Sequence, residues 1–315
     1  MSRRAISAAD ARPSAAAPGV GPFDATGVAV VLACCLIWGG TQVAVKIAGQ
    51  AIPPILQAGL RSALAGGLLV AWMMFRSVPI RVAVGTGGLG LMLGLIFSVE
   101  FWLLYEGVAR TTAARAALFL YATPFFVAIG AHLFIPGDRL SATKVAGLVA
   151  AFAGLALAVS EGLVATSGRV GSLFGDLLCL GSAVGWASVT VLVRATRLKT
   201  VPPEMQLGWQ LWISAVVLIG LSFLLGEPAP DFANARAWLA FAYTGAVVAF
   251  ASYVAWYWLL TRHAASKAAA FTFLVPVFGA FAGHLVLGEP LGWRFLGALA
   301  LIAAGIFLVN RPART

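Results

Sequence analysis

Apolar runs long enough to cross a bilayer recur along nearly the whole chain, and the charged residues are bunched between them. That alternation decides which solvent the chain folds in. A helix needs about 20 apolar residues to span the hydrocarbon core, and a charge at its centre costs on the order of 3 kcal/mol or more. The runs lie at about 27–48, 54–75, 82–108, 112–135, 143–160, 172–194, 206–226, 237–260, 266–288 and 292–310. They predict an all-α polytopic membrane protein with ten transmembrane helices. Composition agrees: 61% of residues are hydrophobic, 10% are charged and the mean hydropathy is +0.95, outside the range of soluble domains. A transmembrane β-barrel would alternate polar and apolar residues in segments of about ten, and no such pattern is present.

A net charge of +10 in a soluble protein would point to nucleic acid. Here the basic residues sit at run ends and in short connections, so membrane topology accounts for them and no nucleic-acid partner is expected. Ten crossings put both termini on one side. That side holds Arg3, Arg4, Arg12, Arg76, Arg81, Arg139, Lys144, Arg194, Arg197, Lys199, Arg262, Lys267, Arg311 and Arg314, fourteen in all. Counted by loop, the other side holds Lys46, Arg61, Arg110, Arg115, Arg169, Arg236 and Arg294, seven in all. The excess of Lys and Arg places both termini in the cytoplasm. Residues 1–22 carry arginines and Ala/Pro/Gly filler without the apolar core of a signal peptide, and read as a disordered tail.

The run RAALFLYATPFFVAIGAHL (115–133) has Pro124 at its middle, where a proline is expected to kink a helix by pressing on the carbonyl of Leu120. KAAAFTFLVPVFGAFAGHL (267–285) repeats the arrangement around Pro276. At an offset of 152, Tyr105 falls on Tyr257, Ala113 on Ala265, Arg115 on Lys267, Phe119 on Phe271, Pro124 on Pro276, Phe126 on Phe278 and His132 on His284. At 148, Trp38 falls on Trp186 and Lys46 on Arg194, while Gly154 matches Gly305. The chain therefore divides into a tail (1–24), a first five-helix repeat (25–165), a second (166–310) and a short tail (311–315). Five is odd, so the repeats cross the membrane in opposite senses, an inverted repeat of the kind that lets two halves exchange roles.

The stretch LIWGGTQVAVK, the run LLYEGVARTTAARAALFLYATPFFVAIGAHLF and its echo WYWLLTRHAASKAAAFTFLVPVFGAFAGHLVLGEPLG resemble the drug/metabolite transporter superfamily, and within it the EamA-type branch. Glu289-Pro290 matches that branch after the ninth run, whereas the first half has Asp138-Arg139 in its place. The resemblance covers residues 25–310. It implies a multi-pass exporter of small metabolites in the bacterial inner membrane, and the aromatic central runs make the chain most similar to the aromatic amino-acid exporters. Expected substrates are aromatic and other neutral amino acids, such as Trp, Phe, Tyr, Thr and Met, with flat cationic drugs or other small metabolites as the alternative. The expected partners are the substrate and the bilayer, with the protein acting as a monomer. Proton antiport and facilitated exchange both fit.

Helical spacing sets Cys34, Trp38 and Gln42 on one face of the first run and Ser182, Trp186 and Thr190 on one face of the sixth. A tryptophan between small polar groups, duplicated by the repeat, suits a cavity wall that holds an apolar ring beside a polar head. The third run adds Ser98, Phe101, Trp102 and Tyr105, and the eighth adds Tyr253 and Tyr257; Trp102 and Trp258 fit an interfacial belt equally well. Glu100 is the one acid clearly inside a run, a candidate for a substrate amine or a coupled proton, and its repeat position is Ser252. Pro124 and Pro276 are expected to mark gating kinks. His132 and His284 sit near run ends, as do Arg115 and Lys267, where capping and orientation are the expected roles.

Catalytic signatures are missing. GTGGLG (85–90) follows no strand and opens an apolar run, so it is not a dinucleotide fingerprint. No Walker loop, His-Glu-x-x-His or Gly-x-Ser-x-Gly is present. Cys34, Cys35 and Cys179 have no metal-ligand spacing and read as reduced, small apolar residues. Neither an enzyme activity nor a cofactor or metal is expected. Gly181-x-x-x-Gly185 and Gly279-x-x-x-Gly283 instead suit close helix approach.

Overall fold

A computed structural model of the chain describes residues 24–78, 85–111, 113–135, 140–165, 173–263, 268, 271–279 and 293–310. Among them every regular element is a helix. In lipid no water can pair an exposed N–H or C=O, and a helix satisfies these groups within itself. The order is α1 (Ala25–Gly39), α2 (Thr41–Ala48), α3 (Pro54–Phe75), α4 (Gly87–Arg110), α5 (Ala113–Leu120), α6 (Thr123–Phe134), α7 (Ala142–Ala165), α8 (Leu173–Ala195), a 3₁₀ turn (Arg197–Thr200), α9 (Pro203–Leu224), α10 (Ala235–Ala242), a π-helical stretch (Tyr243–Ser252), α11 (Tyr253–Arg262), a 3₁₀ turn (Thr272–Leu274) and α12 (Trp293–Asn310). Six helical stretches among the described residues are long and apolar enough to cross a membrane, joined by shorter apolar helices.

Local sequence sets where the helices start. Asp24 caps α1, accepting from the Gly27 amide at 2.6 Å. Pro53-Pro54 and Pro202-Pro203 open α3 and α9, with the ring at the first turn where a missing N–H costs nothing. The free amides of α3 are satisfied from elsewhere: Ile55 and Leu56 donate to the Glu227 carboxylate at 3.1 and 2.8 Å. Asn234 caps α10 by accepting from Ala237 at 3.1 Å.

The core lies between helices, and the outside of the bundle is apolar too. Phe75, Leu224 and Val216 are 88%, 85% and 73% exposed. Water would drive such a surface to aggregate, whereas lipid is its proper solvent. Helix α4 packs on α8 and α9, α3 on α9, and α7 on α12. Small residues permit these approaches. A Cβ on Gly305 would lie 2.6 Å from the Gly147 carbonyl oxygen, and one on Gly39 would lie 2.8 Å from the Gly279 amide nitrogen.

The prolines correct one expectation. Pro124 does not kink a helix from its interior. Tyr121 and Ala122 form a turn, and Pro124 is the second residue of α6, at a first-turn position. The Leu120 carbonyl, which a proline at 124 leaves without its usual donor, accepts from Thr123 Oγ1 at 2.6 Å instead. Pro276 likewise follows the 3₁₀ turn Thr272–Leu274, buried within the short helical segment 275–279. The first run is also divided, at Gly40 between α1 and α2, and the eighth changes to π-helical pitch at Tyr243–Ser252. His284, Lys267, Gly283, Asp138, Arg139, Glu289 and Pro290 lie outside the described residues.

Candidate functional site

Interrupted and continuous helices together surround a cavity with about 130 Å³ of room for the centres of water-sized molecules. One water occupies about 10–15 Å³ by that measure, so the space suits a small organic molecule. Its walls come from α1, α2, α3, α4, α5, α6, α8, the π-helical stretch, α11 and the turn at Thr272.

One side is aromatic. The Tyr253 ring stands edge-on to both Trp38 (6.3 Å, 86°) and Trp186 (5.9 Å, 82°), and Trp256 meets Trp38 at 5.1 Å. Rings at these separations and angles attract through their quadrupoles. The Trp38 indole nitrogen donates to Ser252 Oγ at 2.7 Å, and Ser252 donates on to the Val248 carbonyl at 2.6 Å. Both Ser252 and Val248 belong to the π-helical stretch. Trp38 is thereby fixed rather than free to rotate.

The other side is polar. Arg61 and Glu100 line the cavity, each 1% exposed. Among the described residues neither carboxyl oxygen of Glu100 has a hydrogen-bond partner, nor do Nε and Nη2 of Arg61. The guanidinium carbon lies over the Phe101 ring, 3.9 Å from its centroid, and 6.0 Å from that of Tyr253. Thr41 and Gln42 on α2 also line the cavity, and Thr41 Oγ1 and Gln42 Oε1 have no partner among the described residues. Gly185 makes the placement of Glu100 possible: a Cβ there would lie 2.9 Å from that of Glu100.

Of the residues singled out in the sequence, Trp38, Gln42, Glu100, Phe101, Pro124, Trp186, Thr190 and Tyr253 come together around this cavity. Others do not line it. Ser98 is buried and donates to its own helix at Gly94 (2.7 Å), a bond available to any serine one turn on. Trp102 points outward, 37% exposed, because Phe101 and Tyr105 occupy the inner face of α4. Tyr105 packs behind Phe101 at 6.2 Å, and Tyr257 accepts from Gln210 Nε2 at 2.7 Å. Pro276 is buried in the segment 275–279 away from the lining. His132 accepts from the Leu140 amide at 3.5 Å near its helix end, a capping contact. The three cysteines are free and buried.

Arg61 corrects the count of loop charges: α3 begins at Pro54 and carries Arg61 two turns into the helix, so it is not a connection residue. A signal was available. At an offset of 149, Pro53-Pro54 falls on Pro202-Pro203, Gln57 on Gln206, Gly59 on Gly208 and Arg61 on Gln210. Gln206 holds the 3₁₀ turn through the Leu198 and Val201 carbonyls, and Gln57 holds α2 through Val45, so the shared motif fixes how each helix enters.

A second polar cluster ties four elements together at one end. Asp176, 1% exposed on α8, accepts from Thr111 Oγ1 at 2.7 Å and is paired with Arg115 at the start of α5. Lys46 on α2 donates to the Thr111 carbonyl at 2.7 Å. Arg115 therefore serves structure, held by an acid, and not a cavity anion.

Relatives match the chain over most of their length. The chain is 30% identical to the uncharacterized transporter YvbV of Bacillus subtilis over 291 residues, covering 92% of this chain and 93% of that one. It is 26% identical to a probable amino-acid metabolite efflux pump of Escherichia coli over 288 residues, covering 89% and 93%. A crystal structure of a protein 23% identical superposes with a TM-score of 0.73 over 91% of this chain and 97% of that one, a likeness of fold. The EamA-like transporter family matches residues 25–160 and again 173–311. Matched twice in succession over most of its length, the chain is a multi-pass membrane protein that belongs to the EamA-like transporter family.

Proposed function

We propose that the protein is a secondary transporter that exports amino acids, aromatic and other neutral ones such as Trp, Phe, Tyr, Thr and Met, across the bacterial inner membrane by alternating access. The observation that carries this reading is the cavity itself. Trp38, Trp186, Trp256 and Tyr253 form an apolar wall for a side chain, and unpartnered polar groups face it across the space. The efflux pumps among the relatives bear the words amino-acid metabolite in their names, which agrees with it.

In this reading the ten runs form two five-helix halves of opposite sense with both termini in the cytoplasm, and the chain works as a monomer. Interrupted helices around a central cavity are a recurring transporter device, because a break lets half a helix rock without tearing the remainder. The breaks before Pro124 and Pro276 and at Gly40 supply such joints. Driving force comes from the substrate gradient or from proton exchange, separated by measuring transport with and without a pH difference.

Proteoliposomes test the reading. Labelled Trp, Phe, Thr and Met enter faster than into protein-free vesicles; equal rates for all four would overturn it. Export of flat cationic drugs is the second reading, favoured by the two unpartnered Glu100 oxygens amid aromatic rings. The Arg61 guanidinium in the same cavity opposes it, because like charge repels a cation in a site of low dielectric.

A further inference from the structure

We propose that Arg61 and Glu100 form a head-group site for a zwitterion, Arg61 receiving the ligand's carboxylate and Glu100 its ammonium. This deepens the transport reading and rests on its choice of amino acids as ligand.

Burying either charge costs several kcal/mol unless it is paired and hydrogen-bonded. Both residues are 1% exposed and line one cavity, yet among the described residues no ion pair joins them. A pair kept for structure would be bonded directly, as Asp176 is to Arg115. The unpartnered nitrogens of Arg61 are Nε and Nη2, the two on one edge of the guanidinium, and that edge takes both oxygens of a carboxylate in parallel. The contact with the Phe101 ring, a cation–π attraction, holds the guanidinium in place before a ligand arrives. Glu100 presents two free acceptor oxygens, the complement of an ammonium with three donors.

The other half of the chain is an internal control. The position matching Arg61 is Gln210, which donates to Tyr257 at 2.7 Å, and the position matching Glu100 is Ser252, which bonds Trp38 and Val248. There the equivalent groups are neutral and each is satisfied by other protein groups. In the first half they are ionisable groups lining the cavity, and among the described residues Nε and Nη2 of Arg61 and both carboxyl oxygens of Glu100 have no hydrogen-bond partner, a cost that a ligand of the opposite polarity at each end removes. A simple amine or a simple carboxylate satisfies only one of the two.

The test uses the full chain purified in detergent, with binding read by calorimetry. The probes are tryptophan, tryptamine, which lacks the carboxylate, and indole-3-propionate, which lacks the amine. Wild type binds tryptophan about 10- to 100-fold more tightly than either, the span expected for one charge-assisted pair lost at each end. Arg61→Gln brings tryptophan down to the level of tryptamine, Glu100→Gln brings it down to indole-3-propionate, and Arg61→Lys recovers part of the loss. Equal affinity of wild type for all three probes overturns the proposal without recourse to a variant. So does a uniform loss for all three in both glutamine variants. Discriminating binding without movement of tryptophan into proteoliposomes would sink the transport reading and leave the head-group site standing.

Discussion

Trp38 is tied at both ends of its ring system, by its indole nitrogen to Ser252 and by its faces and edges to Trp256 and Tyr253. Phenylalanine keeps most of the ring contact and loses the hydrogen bond, whereas alanine loses both. Uptake by proteoliposomes is therefore expected to fall modestly in Trp38→Phe and by tenfold or more in Trp38→Ala and Trp186→Ala, at unchanged expression. Unaltered rates in both alanine variants would move the pathway elsewhere. These tryptophans were legible in the sequence because helical spacing and duplication mark them together. Arg61 was not, because depth in the membrane is no property of a residue type. It follows from the helix starting at Pro54, and a basic residue seven places beyond a proline pair reads as easily as the end of a connection.

At the scale of elements, hydropathy located the helices well. Runs expected at 54–75, 172–194 and 292–310 are helical at Pro54–Phe75, Leu173–Ala195 and Trp293–Asn310. The interruptions inside runs were harder to read, because apolar content is the same on both sides of a break and the backbone alone decides the pitch. Pro124 suggested strain where there is little. At the start of α6 the donor it withholds from the Leu120 carbonyl is replaced by the Thr123 hydroxyl, so Pro124→Ala should shift the stability of the purified protein by about 1 kcal/mol or less, measured by denaturation, and an interior proline would give about 3. Thr123→Val should cost more than Pro124→Ala, since it strips the donor from the Leu120 carbonyl. Gly39→Val tests the crossing of α1 on the segment 275–279. Its side chain would start 2.8 Å from the Gly279 amide nitrogen, so the variant should lose thermal stability by several degrees even though valine suits lipid.

Across the whole molecule, one acid connects elements far apart in sequence. Asp176 on α8 holds Thr111 at the end of α4 and Arg115 on α5, and Lys46 joins α2 to the same point. Asp176→Asn keeps the volume and removes the charge, and should lower stability by about 2 kcal/mol, the worth of a charged hydrogen bond. Cys179, buried beside this cluster, offers a readout: in a variant lacking Cys34 and Cys35, maleimide should label it faster once Asp176 is Asn. In the proposed cycle, two identical halves exchanging roles would make the two end states equal in free energy. Arg61 set against Gln210, and Glu100 against Ser252, break that degeneracy. The unloaded carrier consequently waits on a preferred side, and its apparent affinity there exceeds that on the other by the population ratio. Net flux still follows the gradient, so the asymmetry of two side chains tunes how much substrate each compartment must supply and never which way it flows.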